Sequence, residues 1–270
     1  VFGNSKNVVI YIDDCTVHSK NFEEHLIHLK DFFKKLRDYN LKVNKNKVNW
    51  CKNEIKLLGH IISDKHIKMN PEKIEAIEHW SKPSKILHIQ QFLGITGYYR
   101  KFIENYAKVA HPLTQLLNAN EDWKWTKDRE NAFVELKRRL VTYPILRKPD
   151  YSKPFILSTD ASGSAIGAVL GQLDDEGREY VVQYYSRQLK KAEMHLGITE
   201  KECLAVVEAV KHFKLMLQES NQQFTIVTDH AAIKWLMSKR EPVGKLARWV
   251  LFLQAFDCIV KHREGKKHLD

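Results

Sequence analysis

The chain has 270 residues, 43% of them hydrophobic and 29% charged, enough apolar material for one large core or two modest ones. Its 44 Lys+Arg outnumber 33 Asp+Glu, a formal net charge of +11. That excess suits a polyanionic partner, with nucleic acid ahead of an anionic membrane surface. No apolar run approaches the roughly 18 residues of a membrane span, and no signal peptide opens the chain. Four cysteines, Cys15, Cys51, Cys203 and Cys258, form no C-x-x-C pair. They argue against a disulfide framework or a zinc site and predict buried thiols in a reducing compartment.

In chain order, "VVIYIDDCTVHS" at 8–19 predicts a strand over 8–12, a turn at Asp13–Asp14 and a return strand over 16–19. Asp is a common turn residue, so the acid pair needs no function. Adjacent carboxylates also repel each other unless a cation neutralises them, and hard oxygens suit Mg²⁺. Both readings stand at this point. "NFEEHLIHLKDFFKKLRDYN" is a helix that starts with Asn21 and Glu24 in a capping-box spacing. "LLGHIISDKHIKM" predicts a hairpin, and Asn70-Pro71 opens a short helix. Residues 84–117 read as helical throughout, with Tyr99, Arg100 and Lys101 as candidates to track a nucleic-acid backbone, although aromatics spaced this way are more often core. "WTKDRENAFVELKRRL" adds an amphipathic helix with Thr126 at its N-cap. Three prolines in "YPILRKPDYSKP" then mark a boundary near residue 150.

Beyond that boundary the order is β-β-β-α-β-α, with strands at 155–159, 165–171, 181–186 and 224–228 and a helix over 199–217. A helix following Asp229, another in "GKLARWVLFLQAF" and a last strand "CIVKH" complete the segment. This predicts an antiparallel meander and a crossover helix into a mixed α/β sheet. Asp160 follows the first strand and Asp229 the fourth, while Glu202 lies in the first turn of the intervening helix. Strand ends at one edge of an α/β sheet are where such folds build sites. Each acid also has a plain reading: Glu202 in a capping box with Thr199, Asp229 as a helix cap, Asp160 as a turn residue. All three together suggest two-metal phosphoryl transfer.

These blocks and their order resemble the reverse transcriptase–ribonuclease H part of gypsy-type long-terminal-repeat retrotransposon polyproteins. "YIDD" is similar to the polymerase Y-x-D-D box and "LLGHIIS" to the primer-grip hairpin. "FLGITGYYRKFIENYAKVAHPLTQLL" resembles the thumb, and "WTKDRENAFVELKRRLVTYPIL" the connecting segment. "TDASGSAIGAVLGQ", "TEKECLAVVEAV" and "TDHAAIKWL" resemble the ribonuclease H signatures. The resemblance implies an α+β and α/β chain: a partial palm with its primer grip over 1–69, a helical thumb over 70–120, a connection over 121–150 and a ribonuclease H-like domain over 151–270.

It further implies that Asp13 and Asp14 are polymerase metal ligands with Tyr11 near the primer end, and that Leu58, Gly59 and His60 hold the primer strand. Asp160, Glu202 and Asp229 become ribonuclease H metal ligands. Two Mg²⁺ per site follow, with Mn²⁺ as a substitute. The implied partners are an RNA–DNA hybrid and a primer–template, with dNTPs for the full-length enzyme, no membrane, and an intracellular location in a virus-like particle or the nucleus.

Four departures from the family pattern stand out. The third polymerase Asp lies upstream of Val1, and the fourth ribonuclease H Asp falls two residues past Asp270 when "GKKHLD" is aligned at Gly265 and Lys266. Met194-His195 stands where Asn-Tyr is usual, and His66 stands in place of a turn glycine, which would strain any positive φ. The expected function is therefore an incomplete RNA-directed DNA polymerase carrying a ribonuclease H. The alternative is a catalytically silent, nucleic-acid-binding remnant.

Overall fold

The computed structural model describes residues 2–3, 5–142, 145–229 and 244–263, and they fall in two compact units, Val1–Ile55 and Lys56–Asp270. In the first, β1 (Val8–Tyr11) and β2 (Asp14–Val17) form an antiparallel hairpin with Tyr11 opposite Asp14. Helix α1 (Phe22–Asp38) follows, its start fixed by Asn21 Oδ1 accepting from the Glu24 N–H at 2.8 Å. Its apolar face buries Phe32 and Leu36 against Phe2, with Val8, Val17 and Phe33 around them. This core is small, and Val9, Ile10 and Tyr11 remain about half exposed.

A four-stranded sheet comes next along the chain in the order β3-β4-β5-β6: Ile55–Leu57, His60–Ile62, His66–Met69 and Ile145–Arg147. The predicted hairpin is β4–β5, antiparallel with Ile62 opposite Ile67. His66 lies in β5 opposite Arg147 and is not among the positive-φ residues, so the strain expected of a replaced glycine does not arise. β6 comes from the proline-rich stretch that the sequence marks as a boundary; Leu146 pairs with Ile67 and is buried.

Helices α2 (Pro71–Glu78), α3 (Ile86–Tyr98), α4 (Tyr106–Gln115) and α5 (Lys127–Thr142) pack around Met69, Ile77, Phe92, Leu113 and Leu136. The helix expected over 84–117 is not continuous. It breaks through a 3₁₀ turn at Arg100–Phe102 and a left-handed Asn105 (φ 51°), which turns the chain into α4. Asn tolerates that conformation better than most residues.

A five-stranded mixed sheet follows in the order β11-β10-β7-β8-β9: Cys258–His262, Phe224–Thr228, Ile156–Ala161, Ala165–Leu173 and Glu179–Gln188. β7, β8 and β9 form the predicted antiparallel meander, while β10 runs parallel to both β7 and β11. The short α6 (Lys191–Met194) leads to the crossover helix α7 (Ile198–Glu219), and α8 (Gly244–Gln254) precedes β11. α7 and α8 bury Val206, Val210, Phe213 and Val250 against Leu157, Leu170 and Val182. Side chains alternate along a strand, and Val181 of β9 belongs to the core built by α3–α5. The helices that precede the sheet therefore cover part of its second face.

All four cysteines are free. The expectation of four buried thiols holds for Cys203 only, since Cys258 is half-buried and Cys15 and Cys51 are exposed where the first unit has little core. Among the described residues, no helix is long and apolar enough to cross a membrane.

Candidate active site

Asp160 lies inside β7, directly across from Gly167 of β8. β10 runs parallel beside β7 with Thr228 opposite Thr159. Asp229, the next residue, thus reaches the level of Asp160 on a strand about 4.8 Å away. The Asp229 carbonyl accepts from His262 Nε2 at 2.9 Å, and the Arg263 N–H donates to the Thr228 carbonyl at 3.0 Å, so β11 braces this strand end.

Glu202 does not close the capping box expected of it with Thr199. α7 begins at Ile198, one residue earlier, and the reciprocal contact is made by Glu200, whose Oε2 accepts from the Gly197 N–H at 3.1 Å. Glu202 turns inward instead. It is 5% exposed, and its buried Oε2 has no hydrogen-bond partner among the described residues. Burial first, then the negative charges of Asp160 and Asp229, push its carboxyl up to about 8, against a hydrogen bond from the Ala161 N–H that favours the anion. Electrostatics thus ties the three acids together although they come from three elements.

A buried carboxylate with an orphaned oxygen, close enough to two more carboxylates to feel their charge, suits a hard divalent cation by charge and donor type. As the side chains stand, no three His, Cys, Asp or Glu donors among the described residues converge on one point. Asp160 and Asp229 are exposed and keep the rotamer freedom that Glu202 has lost. "TDHAAIKWL" beyond Asp229, the helix expected there, and Gly265, Lys266 and Asp270 lie outside the described residues.

The other acid pair sits differently. The hairpin turns at Ile12–Asp13, one residue earlier than predicted, and Asp14 already opens β2 opposite Tyr11. Ile12 is 80% exposed with φ 54°, a conformation that β-branched residues rarely adopt. Tyr11, Asp13 and Asp14 are all exposed.

The Leu58–Gly59 corner between β3 and β4 also runs through the left-handed region, with φ 46° and 72°. Two consecutive tyrosines at the end of α3 close it: Tyr98 Oη donates to the Leu58 carbonyl at 2.5 Å and Tyr99 Oη to the Gly59 carbonyl at 2.8 Å. The Asn70 N–H also reaches the Gly59 carbonyl, at 3.2 Å. His60 Nδ1 donates to the Leu58 carbonyl at 2.8 Å, and its ring packs on Tyr98, Tyr99 and Phe102. Burial and then the Lys101 charge hold its pKa down.

Of the residues expected to meet nucleic acid, Tyr11, Leu58 and Arg100 are exposed, and Lys101 is half-buried with its ammonium over the Phe102 ring. Tyr99, at 2% exposure, and His60, at 8%, offer no face to a strand; they shape the corner instead. The Tyr98 and Asn70 contacts were not foreseen, because helical periodicity does not show a hydroxyl reaching a carbonyl 40 residues away.

The strand order, the crossover helix and acids at neighbouring strand ends define a ribonuclease H-like α/β domain. Residues 150–256 match the family model for the RNase H-like domain found in reverse transcriptase, and residues 2–62 match that for reverse transcriptase (RNA-dependent DNA polymerase). Both are domains of an enzyme.

Over 269 residues the chain is 39% identical to the Transposon Tf2-3 and Tf2-4 polyproteins of Schizosaccharomyces pombe (strain 972 / ATCC 24843), a match covering 98% of this chain and 20% of each relative. The chain therefore spans about a fifth of the length of the curated relatives it matches. Two solved structures share the fold. A foamy viral protease-reverse transcriptase dRH in complex with ds DNA matches with TM-score 0.82 and 20% identity, covering 100% of this chain and 47% of that one. A foamy viral protease-reverse transcriptase in complex with RNA/DNA hybrid gives 0.80 and 19%, covering 100% and 37%.

Proposed function

We propose that this chain is the reverse transcriptase–ribonuclease H stretch of a gypsy-type retrotransposon polyprotein, and that Asp160, Glu202 and Asp229 serve hydrolysis of RNA within an RNA–DNA hybrid. The observation that supports this reading most is the buried Glu202 Oε2, unpartnered among the described residues and charge-coupled to two aspartates at adjacent strand ends. In the same reading 1–69 is the C-terminal part of the palm with the primer grip, 70–120 the thumb, 121–150 the connection and 151–270 the ribonuclease H.

The three acids would hold two Mg²⁺, or Mn²⁺, which when bound supply an activated water and stabilise the leaving oxygen. The protein's own contribution is position. β7–β10 pairing sets the spacing of the aspartates, and the Ala161 N–H keeps Glu202 at the sheet. Cationic side chains would give salt-sensitive backbone affinity, and 2′-hydroxyls would mark the RNA strand. Asp13 and Asp14, with Tyr11, Leu58 and Gly59, belong to the polymerase centre, which uses dNTPs and a primer–template in the full-length enzyme.

The test is cleavage of end-labelled RNA in a hybrid with and without Mg²⁺. Cleavage that disappears in Asp160→Asn is the expected result. An inactive chain that still binds hybrid in a salt-dependent way would overturn the enzyme reading in favour of a silent nucleic-acid binder, the reading favoured by the side chains not yet converging on one point.

A further inference from the structure

We infer that Asn105 is a positioning residue for Asp160, acting through Gly167 on the neighbouring strand; this rests on the ribonuclease H reading of the acid site. Asp160, Gly167 and Ser186 form one row across β7, β8 and β9, each opposite the next in register. Directly opposed residues of antiparallel strands face the same side of a sheet. The start of α4 lies on this row.

A Cβ built on Gly167 would stand 2.1 Å from Asn105 Oδ1, so the carboxamide fills the place that a side chain at 167 would take. Asn105 occupies the N-cap position of α4, where an Asn side chain normally accepts from a first-turn N–H. It makes no such cap bond, and its carboxamide lies against the sheet instead. Two residues on, the Ala107 N–H donates to Ser186 Oγ at 2.9 Å, and both residues are buried.

The loop that carries Asn105 is braced from behind. Arg139 Nη1 donates to the Glu104 carbonyl at 2.8 Å, and Tyr106 Oη lies 3.0 Å from Thr96 Oγ1. α4 therefore holds two of the three residues in the row whose third member is Asp160. A methyl group at 167 requires either the carboxamide or β8 to move, and β8 carries the hydrogen-bond partners of the Asp160 strand.

The experiment compares Gly167→Ala, Asn105→Gly and the double variant in the full chain. Glycine at 105 keeps the left-handed backbone accessible while removing the carboxamide. Two readouts are taken, steady-state hybrid cleavage and the Mg²⁺ concentration giving half-maximal thermal stabilisation, each with Asp160→Asn as control.

Gly167→Ala is expected to lower kcat about tenfold with KM for hybrid unchanged, since small misplacements of a reacting group reach about a hundredfold, and to raise the Mg²⁺ midpoint several-fold. Asn105→Gly alone is expected to have a milder effect, and the double variant to return to the level of Asn105→Gly. Gly167→Ala matching wild type in both readouts would overturn the proposal, as would equal impairment whether or not Asn105 keeps its side chain. A wild type that neither cleaves hybrid nor shows Asp160-dependent stabilisation by Mg²⁺ would take down the ribonuclease H reading itself, and this proposal with it.

Discussion

The two groups of acids in this chain are built in opposite ways. Asp13 and Asp14 are neighbours in sequence, stay exposed and sit at the tip of a hairpin over a core of a few residues. Asp160, Glu202 and Asp229 come from two strands and a helix, and one of them is buried with an orphaned oxygen. Contiguous acids are adjacent in any conformation, so their proximity says little about a site. Dispersed acids come together only if strand order and helix packing bring them there, so their proximity is a property of the fold.

The sharpest way to break this contrast is activity. Glu202→Gln or Asp229→Asn is expected to cut Mg²⁺-dependent hybrid cleavage by more than about a hundredfold, because even outer-shell partners of a metal site are worth about 10- to 100-fold. The double variant Asp13→Asn/Asp14→Asn should leave the rate within about twofold of wild type, measured in the same cleavage assay.

The pH dependence of stability comes next. Without divalent metal, folded Glu202 keeps its proton up to about 8, whereas in the unfolded chain it releases it near the ordinary value of 4.5. The folded state binds the extra proton between these values. The Glu202 contribution to stability is therefore fully present below 4.5, declines as pH rises through that window, and levels off above about 8. Melting curves across this range should show the decline in wild type, its loss in Glu202→Gln and its suppression by Mg²⁺.

A smaller effect separates the two tight corners. Gly59→Ala places a Cβ 3.1 Å from Tyr99 Oη at φ 72°, and is expected to destabilise by about 1–3 kcal/mol in urea titrations. Tyr99→Phe, which removes one hydrogen bond to the Gly59 carbonyl, should destabilise by about 1 kcal/mol. The smallest effect has the opposite sign. Ile12→Gly relieves a left-handed β-branched residue that is 80% exposed and should stabilise the first unit by about 1 kcal/mol. No gain there would show that the hairpin tip is not strained.

Much of this arrangement was legible along the chain. Asn21–Glu24, Asn70-Pro71 and Thr126 mark helix starts where the structure has them, because caps are local chemistry. Asp160 and Asp229 were readable from apolar runs that end in an acid, since alternation and strand length are local as well. Three features were not readable. The capping box at Thr199–Glu202 has the right spacing, but the N-cap is Gly197, two residues earlier, and Glu200 makes the contact, which releases Glu202 into the core. The stretch at 145–147 carries boundary-like prolines beside it, yet it completes a sheet with β5. Helical spacing left Tyr99 open between a nucleic-acid surface and the core, and nothing in it shows that the Tyr98 and Tyr99 hydroxyls close a corner 40 residues upstream.

By itself the sequence determined most of the elements, the order of the motifs and the candidate acids, all of which rest on periodicity and capping over a few residues. Only the tertiary structure decided which acid is buried, which tyrosine faces a carbonyl and which asparagine lies on Gly167. The reason is physical: desolvation and long-range hydrogen bonds depend on neighbours that packing supplies from distant parts of the chain.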